Sequence, residues 1–122
     1  MTEIKLKRVY DEPEENDGYR ILVDRLWPRG VKKEDLIYDL WNKEITPSND
    51  LRKWFAHDPD KFKQFKSAYI EELLEKNETD HFIETITEEL KAHDVTLLYG
   101  AKDKKYNHAI VLKEFIDNEI NV

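Results

Sequence analysis

Apolar and basic residues alternate over Ile4-Lys5-Leu6-Lys7, and the stretch continues as Arg8-Val9-Tyr10. A two-residue period of this kind predicts a strand with one covered face. Residues 11–18 are acidic, contain Pro13 and end in Asp17-Gly18, which reads as a solvated turn or loop. Arg20-Ile21-Leu22-Val23-Asp24 has an unbroken apolar centre, as in a strand buried on both faces. Trp27-Pro28-Arg29-Gly30 cannot continue that strand, because proline lacks a ladder donor and glycine relaxes the backbone. A short helical turn is expected over residues 33–37, and a third strand over Tyr38-Asp39-Leu40-Trp41.

The period then lengthens. Ser48 caps a helix that carries Asp50 in its first turn, where negative charge is favoured. Asp58 caps the next helix, with Pro59 at its first position. Phe62, Phe65, Tyr69 and Leu73 fall on one helical stripe. Asn77-Glu78-Thr79 breaks it, and Phe82, Ile83, Ile86 and Leu90 form the stripe of a third helix. Val95-Thr96-Leu97-Leu98-Tyr99 is β-branched and apolar, a strand that Gly100 ends. A last helix starts at Tyr106 or Asn107 and turns Ala109, Leu112, Phe115 and Ile116 to the core. Late strands separated by helices need crossovers and therefore pair in parallel, with helices on both faces. No repeat, low-complexity tract or linker interrupts the pattern. The expectation is one α/β domain over residues 1–122, built in three layers around a small, mostly parallel sheet flanked by helices.

Composition narrows the function. Three Trp, six Tyr and five Phe in 122 residues supply a core and argue against disorder, although 39% of residues are charged. The net charge of −7 disfavours a general nucleic-acid binder, which needs a cationic face. The beginning Met1-Thr2-Glu3-Ile4-Lys5 lacks the apolar centre of a secretion signal, and no apolar run is long enough for a membrane span. A cytoplasmic protein without a membrane partner is expected. With no cysteine, thiolate chemistry and disulfides are excluded.

The basic residues are unevenly typed. All five arginines (Arg8, Arg20, Arg25, Arg29 and Arg52) lie in the first 52 residues, and the later bases are lysines. Arginine offers a planar fork matched to phosphate and carboxylate, so an arginine cluster in an acidic chain points to a local anion site. Open parallel sheets bind ligands beyond the carboxyl ends of their strands. That rule selects the segment from Asp24 to Gly30, the segment around Thr46-Pro47-Ser48 with Arg52, and the segment from Gly100 to Asn107-His108. Arg25, Arg29 and Arg52 are then candidates to grip an anion, with Ser48 and Asn107 contributing helix starts. His108 is the candidate acid/base and Asp103 its orienting partner. The small anionic molecule so held would be turned over by hydrolysis or group transfer, or only bound by a non-catalytic regulatory or protein-binding module. A structural reading stands beside both, in which Arg25 and Arg29 pair with Asp24 and Asp39 and Ser48 is a plain helix cap. Trp54 and Phe55 are expected in the core, and His81 and His93 at the surface. His57 shapes a turn between helices.

No Gly-x-Gly-x-x-Gly, Walker loop or Gly-x-Ser-x-Gly occurs, and the chain has three glycines, so neither a dinucleotide or S-adenosylmethionine loop nor a nucleophile elbow is expected. Four histidines without ligand spacing give no dedicated metal site. Spacing alone leaves open whether His57, Asp103 and His108 meet around a metal. No cofactor is identified.

Lys7-Arg8-Val9-Tyr10, Asp17-Gly18 and Leu22-Val23-Asp24-Arg25-Leu26-Trp27-Pro28-Arg29-Gly30 resemble the signature of the YeaO-like proteins, domain-of-unknown-function family 488. Leu51-Arg52-Lys53-Trp54-Phe55, His57-Asp58-Pro59 and Asn107-His108-Ala109 fit the same pattern, which runs nearly end to end. The resemblance implies a single compact α/β domain of the bacterial cytosol, and no particular activity.

Overall fold

The computed structural model describes residues 2–120. Four strands, β1 (Ile4–Arg8), β2 (Tyr19–Leu22), β3 (Leu40–Trp41) and β4 (Val95–Tyr99), form one sheet in the order β1-β4-β2-β3. Every pairing is parallel. The last strand in the chain is thus inserted at the centre, where Val95 pairs with Ile4 on one side and Tyr19 on the other. All five of its residues are buried, which is why its sequence is apolar without alternation. β1 lies on an edge and keeps Lys5, Lys7 and Arg8 there, charges that discourage pairing with another chain.

Four helices complete the α/β domain: α1 (Asn49–Phe55), α2 (Phe62–Glu75), α3 (Asn77–Glu89) and α4 (His108–Ile120). Their stripes meet one face of the sheet. Phe55, Phe65, Tyr69, Leu73, Phe82, Ile86, Leu112 and Ile116 pack with Ile21, Val23, Val95, Leu97 and Tyr99 in one cluster. Ser48 caps α1 by accepting from the Leu51 amide, and Asp58 accepts from the Asp60 amide ahead of α2, both as the residue types predict.

The opposite face carries Leu22 and Leu98, and its cover is irregular chain rather than helix. Leu36, with the partly buried Trp27, Val31 and Trp41, closes over them. The helical turn expected over residues 33–37 is only a turn, closed by the Asp35 amide on the Lys32 carbonyl at 2.9 Å. Leu36 is drawn into the small cluster, and this anchors the segment without regular structure. The break expected at Asn77-Glu78-Thr79 falls one residue earlier, at Lys76, whose extended backbone (φ −89°, ψ 132°) separates α2 from α3. The core position of Trp54 is also overturned: it is 44% exposed, while Phe55 is buried. Trp54 instead takes the Lys61 ammonium over its ring at 5.2 Å.

The other half of this face is polar. Residues 11–18 bring Asp17 back over β1 and β2, where it is buried together with Arg20. Its carboxylate accepts from the Arg20 guanidinium, from Lys7 Nζ at 3.0 Å and from the Glu14 amide at 3.0 Å. Its carbonyl accepts from Thr96 Oγ1 at 2.7 Å. The Asp17-Gly18 pair, expected in a solvated loop, is therefore an internal anchor. Burial alone would push the Asp17 carboxyl upward. The Glu14 amide, Lys7 and Arg20 outweigh burial and hold it below the ordinary carboxylate value.

Gly18 follows this anchor at φ +68°, and a Cβ there would lie 1.9 Å from the Asp94 carbonyl oxygen. Both the left-handed backbone and the contact reserve the site for glycine. Gly18→Ala is expected to destabilise the protein by about 1–3 kcal/mol, read from denaturant unfolding.

Candidate functional site

Three chain segments that leave the carboxyl ends of β2, β3 and β4 converge on one cavity of about 320 Å³. This is the sheet edge at which parallel α/β folds bind ligands. The β2 exit contributes Asp24, Arg25, Trp27, Pro28 and Arg29. The β3 exit and α1 contribute Thr46, Pro47, Arg52 and Phe55, and the β4 exit contributes Gly100, Asn107 and His108. Of the five arginines, three therefore line a common hollow. The remaining two have structural partners. Arg20 is paired with Asp17, and Arg8 donates from Nε to the Ala101 carbonyl at 2.9 Å and lies over the Tyr10 ring at 4.8 Å.

Arg25 and Arg29 are exposed, and among the described residues their guanidiniums make neither an ion pair nor a hydrogen bond. The expected alternative partners are otherwise engaged. Asp39 accepts from the Arg20 amide at 2.8 Å. Asp24 Oδ2 accepts from the Gly100 amide at 2.8 Å, while Oδ1 lies 3.2 Å from His108 Nε2. Arg52 reaches only Asn49 Oδ1, at 3.0 Å, and its buried Nε has no protein partner. Three guanidiniums against the one carboxylate of Asp24, which pairs with none of them, raise the local positive potential and favour an incoming anion.

The helical start beside this cavity is well built. Asn107 is buried and caps α4, accepting from the Ile110 amide at 3.0 Å and donating to the Asp103 carbonyl at 2.7 Å. His108 is the first residue of α4, and its Nε2 lies 2.8 Å from the Val23 carbonyl. A carbonyl can only accept, so Nε2 carries a proton and is committed to that bond. His108 thus latches α4 to the end of β2. His108→Ala is expected to cost about 1–3 kcal/mol in stability, because the Val23 carbonyl loses its side-chain donor; thermal unfolding reads the change.

Two expected site residues are placed elsewhere. Asp103 does not orient His108: its carboxylate turns back onto the Lys105 and Tyr106 amides at 2.8 and 3.0 Å, an Asx turn that sets up the last helix. Asp24 stands beside the imidazole instead. Ser48 does not line the cavity. Its Oγ donates to Glu72 Oε2 at 2.6 Å and accepts from the Leu51 amide at 3.2 Å, so it is a cap pinned to α2. Among the described residues no three His, Asp or Glu side chains converge as a metal-holding group.

His57 was assigned to turn formation and is found on the cavity wall as well. Ala56 and His57 both have positive φ, 45° and 58°, and close α1 without a glycine. Two non-glycine residues in the left-handed region are costly and concentrate at functional sites. No spacing in the sequence marks them; the only signal is a helix that must stop before Asp58-Pro59 with no glycine to stop it.

Residues 3–122 match the family model described as the inactive DUF488-N3 subclade. The uncharacterised protein YeaO of Escherichia coli is 48% identical over 113 residues, covering 93% of this chain and 96% of YeaO. Uncharacterised proteins of Mycobacterium bovis and Mycobacterium tuberculosis are each 44% identical over 72 residues, covering 59% of this chain and 61% of theirs. No solved structure matches the chain.

Proposed function

For a chain that belongs to the DUF488 family, in the subclade described as inactive, we propose a non-catalytic role: a binding module that accepts a phosphate- or carboxylate-bearing small molecule at the carboxyl edge of its sheet. The observation that carries this reading is the set of three guanidiniums, Arg25, Arg29 and Arg52, around one cavity with no carboxylate paired to any of them among the described residues. Guanidinium forks bind phosphate and carboxylate by paired, charge-assisted hydrogen bonds. Asn107 and His108, at the start of α4, line the same hollow, where the positive end of a helix dipole favours an anion.

Most of the groups that would do chemistry are held by the protein: Asp103 closes a turn, and the Ser48 hydroxyl donates to Glu72. Thr46 Oγ1 donates to the Lys43 carbonyl at 2.6 Å. No cysteine exists to replace them. His108 donates Nε2–H to the Val23 carbonyl, which fixes the ring and leaves Nδ1 without a hydrogen bond among the described residues. A nucleophile needs an adjacent base to activate it, and neither Ser48 nor Thr46 bonds to a histidine. Recognition of an anion requires no such pair.

Thermal unfolding with increasing inorganic phosphate tests the proposal. A rise that continues logarithmically with phosphate is expected, about 2.7 kcal/mol at a hundredfold excess over Kd. In Arg29→Ala the same rise should need about tenfold more phosphate. Absence of any phosphate effect contradicts the anion site, and steady hydrolysis of a simple phosphate ester by the pure protein contradicts the non-catalytic role.

A further inference from the structure

We infer that the anion taken by this cavity is carried on a flat apolar or aromatic ring, and that a sugar phosphate is the wrong class. The inference rests on the proposed anion site and comes from a count of polar side chains that remain free. Sugars are recognised through their hydroxyls, and each hydroxyl needs a donor or acceptor waiting for it. In this cavity most of the neutral polar groups are bonded to the protein, His57 being the one that makes no side-chain hydrogen bond among the described residues. Asn107 spends its carbonyl on the Ile110 amide and its NH2 on the Asp103 carbonyl. Thr46 spends its hydroxyl on Lys43, and Tyr10 donates its own to the Arg29 carbonyl at 3.0 Å. Asp24 holds the Gly100 amide with one oxygen, and its other oxygen is buried beside His108. Apart from the imidazoles of His57 and His108, what the wall presents to a guest is guanidinium plus hydrocarbon.

The hydrocarbon is flat and fixed. Trp27 is held edge-on to Trp41 and Tyr38, with ring centroids 5.4 and 5.7 Å away, and its indole N–H is used on the Val31 carbonyl at 2.6 Å. Phe55 stacks on Phe65 at 4.2 Å with ring planes 15° apart. Pro28 and Pro47 also line the hollow, and Leu26 stands at its rim 67% exposed. Trp27 and Phe55 both line this cavity, and aromatic walls suit a flat ring through offset or edge contacts. A volume of about 320 Å³ has room for one such ring and its anionic group.

Calorimetric titration of the full chain with three probes decides it: inorganic phosphate, ribose 5-phosphate and phenyl phosphate. Phenyl phosphate is expected to bind about tenfold tighter than inorganic phosphate, from the buried ring. Ribose 5-phosphate should bind no tighter than inorganic phosphate. Equal or stronger binding of ribose 5-phosphate relative to phenyl phosphate overturns the ring inference while the anion site stands. Failure of all three probes overturns the anion site itself, and the ring inference with it.

Discussion

Replacing Asp17 by alanine is expected to lower stability by about 3–5 kcal/mol, the range for removing one partner of a buried ion pair. The cost is the uncompensated charge left behind. Arg20 is buried, its Nε is used on the Ile37 carbonyl at 2.7 Å, and one of its terminal nitrogens has no partner even in the intact protein. Without Asp17 a second terminal nitrogen loses its acceptor in the same dry space. Lys7 also loses a 3.0 Å partner, though it retains Glu14 at 2.7 Å. Denaturant unfolding at neutral pH measures the difference.

The same pair sets an acid dependence. The Asp17 carboxyl is held below its ordinary value in the folded protein. Its contribution is therefore fully present above the unfolded value of about 3.9, and is lost as the pH falls through the depressed folded value. The stability gap between the parent protein and Asp17→Ala should be flat from pH 7 to about pH 5 and should close below about pH 4. A gap that narrows between pH 7 and pH 5 would contradict this account of the pair.

The second large effect is on binding. Arg25→Ala combined with Arg29→Ala is expected to weaken phosphate binding by about a hundredfold or more. Each hydrogen bond to a charged group contributes about 1.5–3 kcal/mol, and about 1.4 kcal/mol is tenfold in affinity. Stability should move by no more than about 0.5 kcal/mol, since both side chains are exposed and unpaired among the described residues. This separates the two kinds of arginine in the molecule. Losing Arg20 should destabilise it by about the same 3–5 kcal/mol as losing Asp17, and losing Arg25 and Arg29 should leave it folded with much weakened phosphate binding. Calorimetric titration alongside unfolding curves reads both quantities on one preparation.

Most of the scaffold is legible in the residues, because its elements obey simple periods. The unbroken apolar run of β4 announces a central strand, and the stripes of α2 and α4 announce the face they bury. The segment from Asp24 to Gly30 is recognisable as a strand exit because proline and glycine forbid its continuation. What stayed hidden depends on partners distant in the chain. Residues 11–18 are acidic and read as solvated, yet Lys7, Arg20 and Thr96, with the Glu14 amide, supply the contacts Asp17 needs to be buried. The cover over Leu22 and Leu98 has no period to detect, since Trp27, Leu36 and Trp41 reach it from irregular chain. The sequence offers Asp103, five residues away, as the neighbour of His108, and Asp24 takes that place instead. The choice is made by the Asx turn that occupies Asp103 and by the short step from Val23 to Asp24. His57 escapes notice because left-handed backbone at Ala56 and His57 has no residue type to advertise it.

Crystals of the full chain soaked in selenate, an anomalous-scattering mimic of phosphate, give the most direct test. The account predicts an anomalous peak inside the cavity, with selenate oxygens within about 3 Å of guanidinium nitrogens from at least two of Arg25, Arg29 and Arg52. Selenate bound only at other places, with those three arginines turned onto carboxylates of the protein, would contradict it.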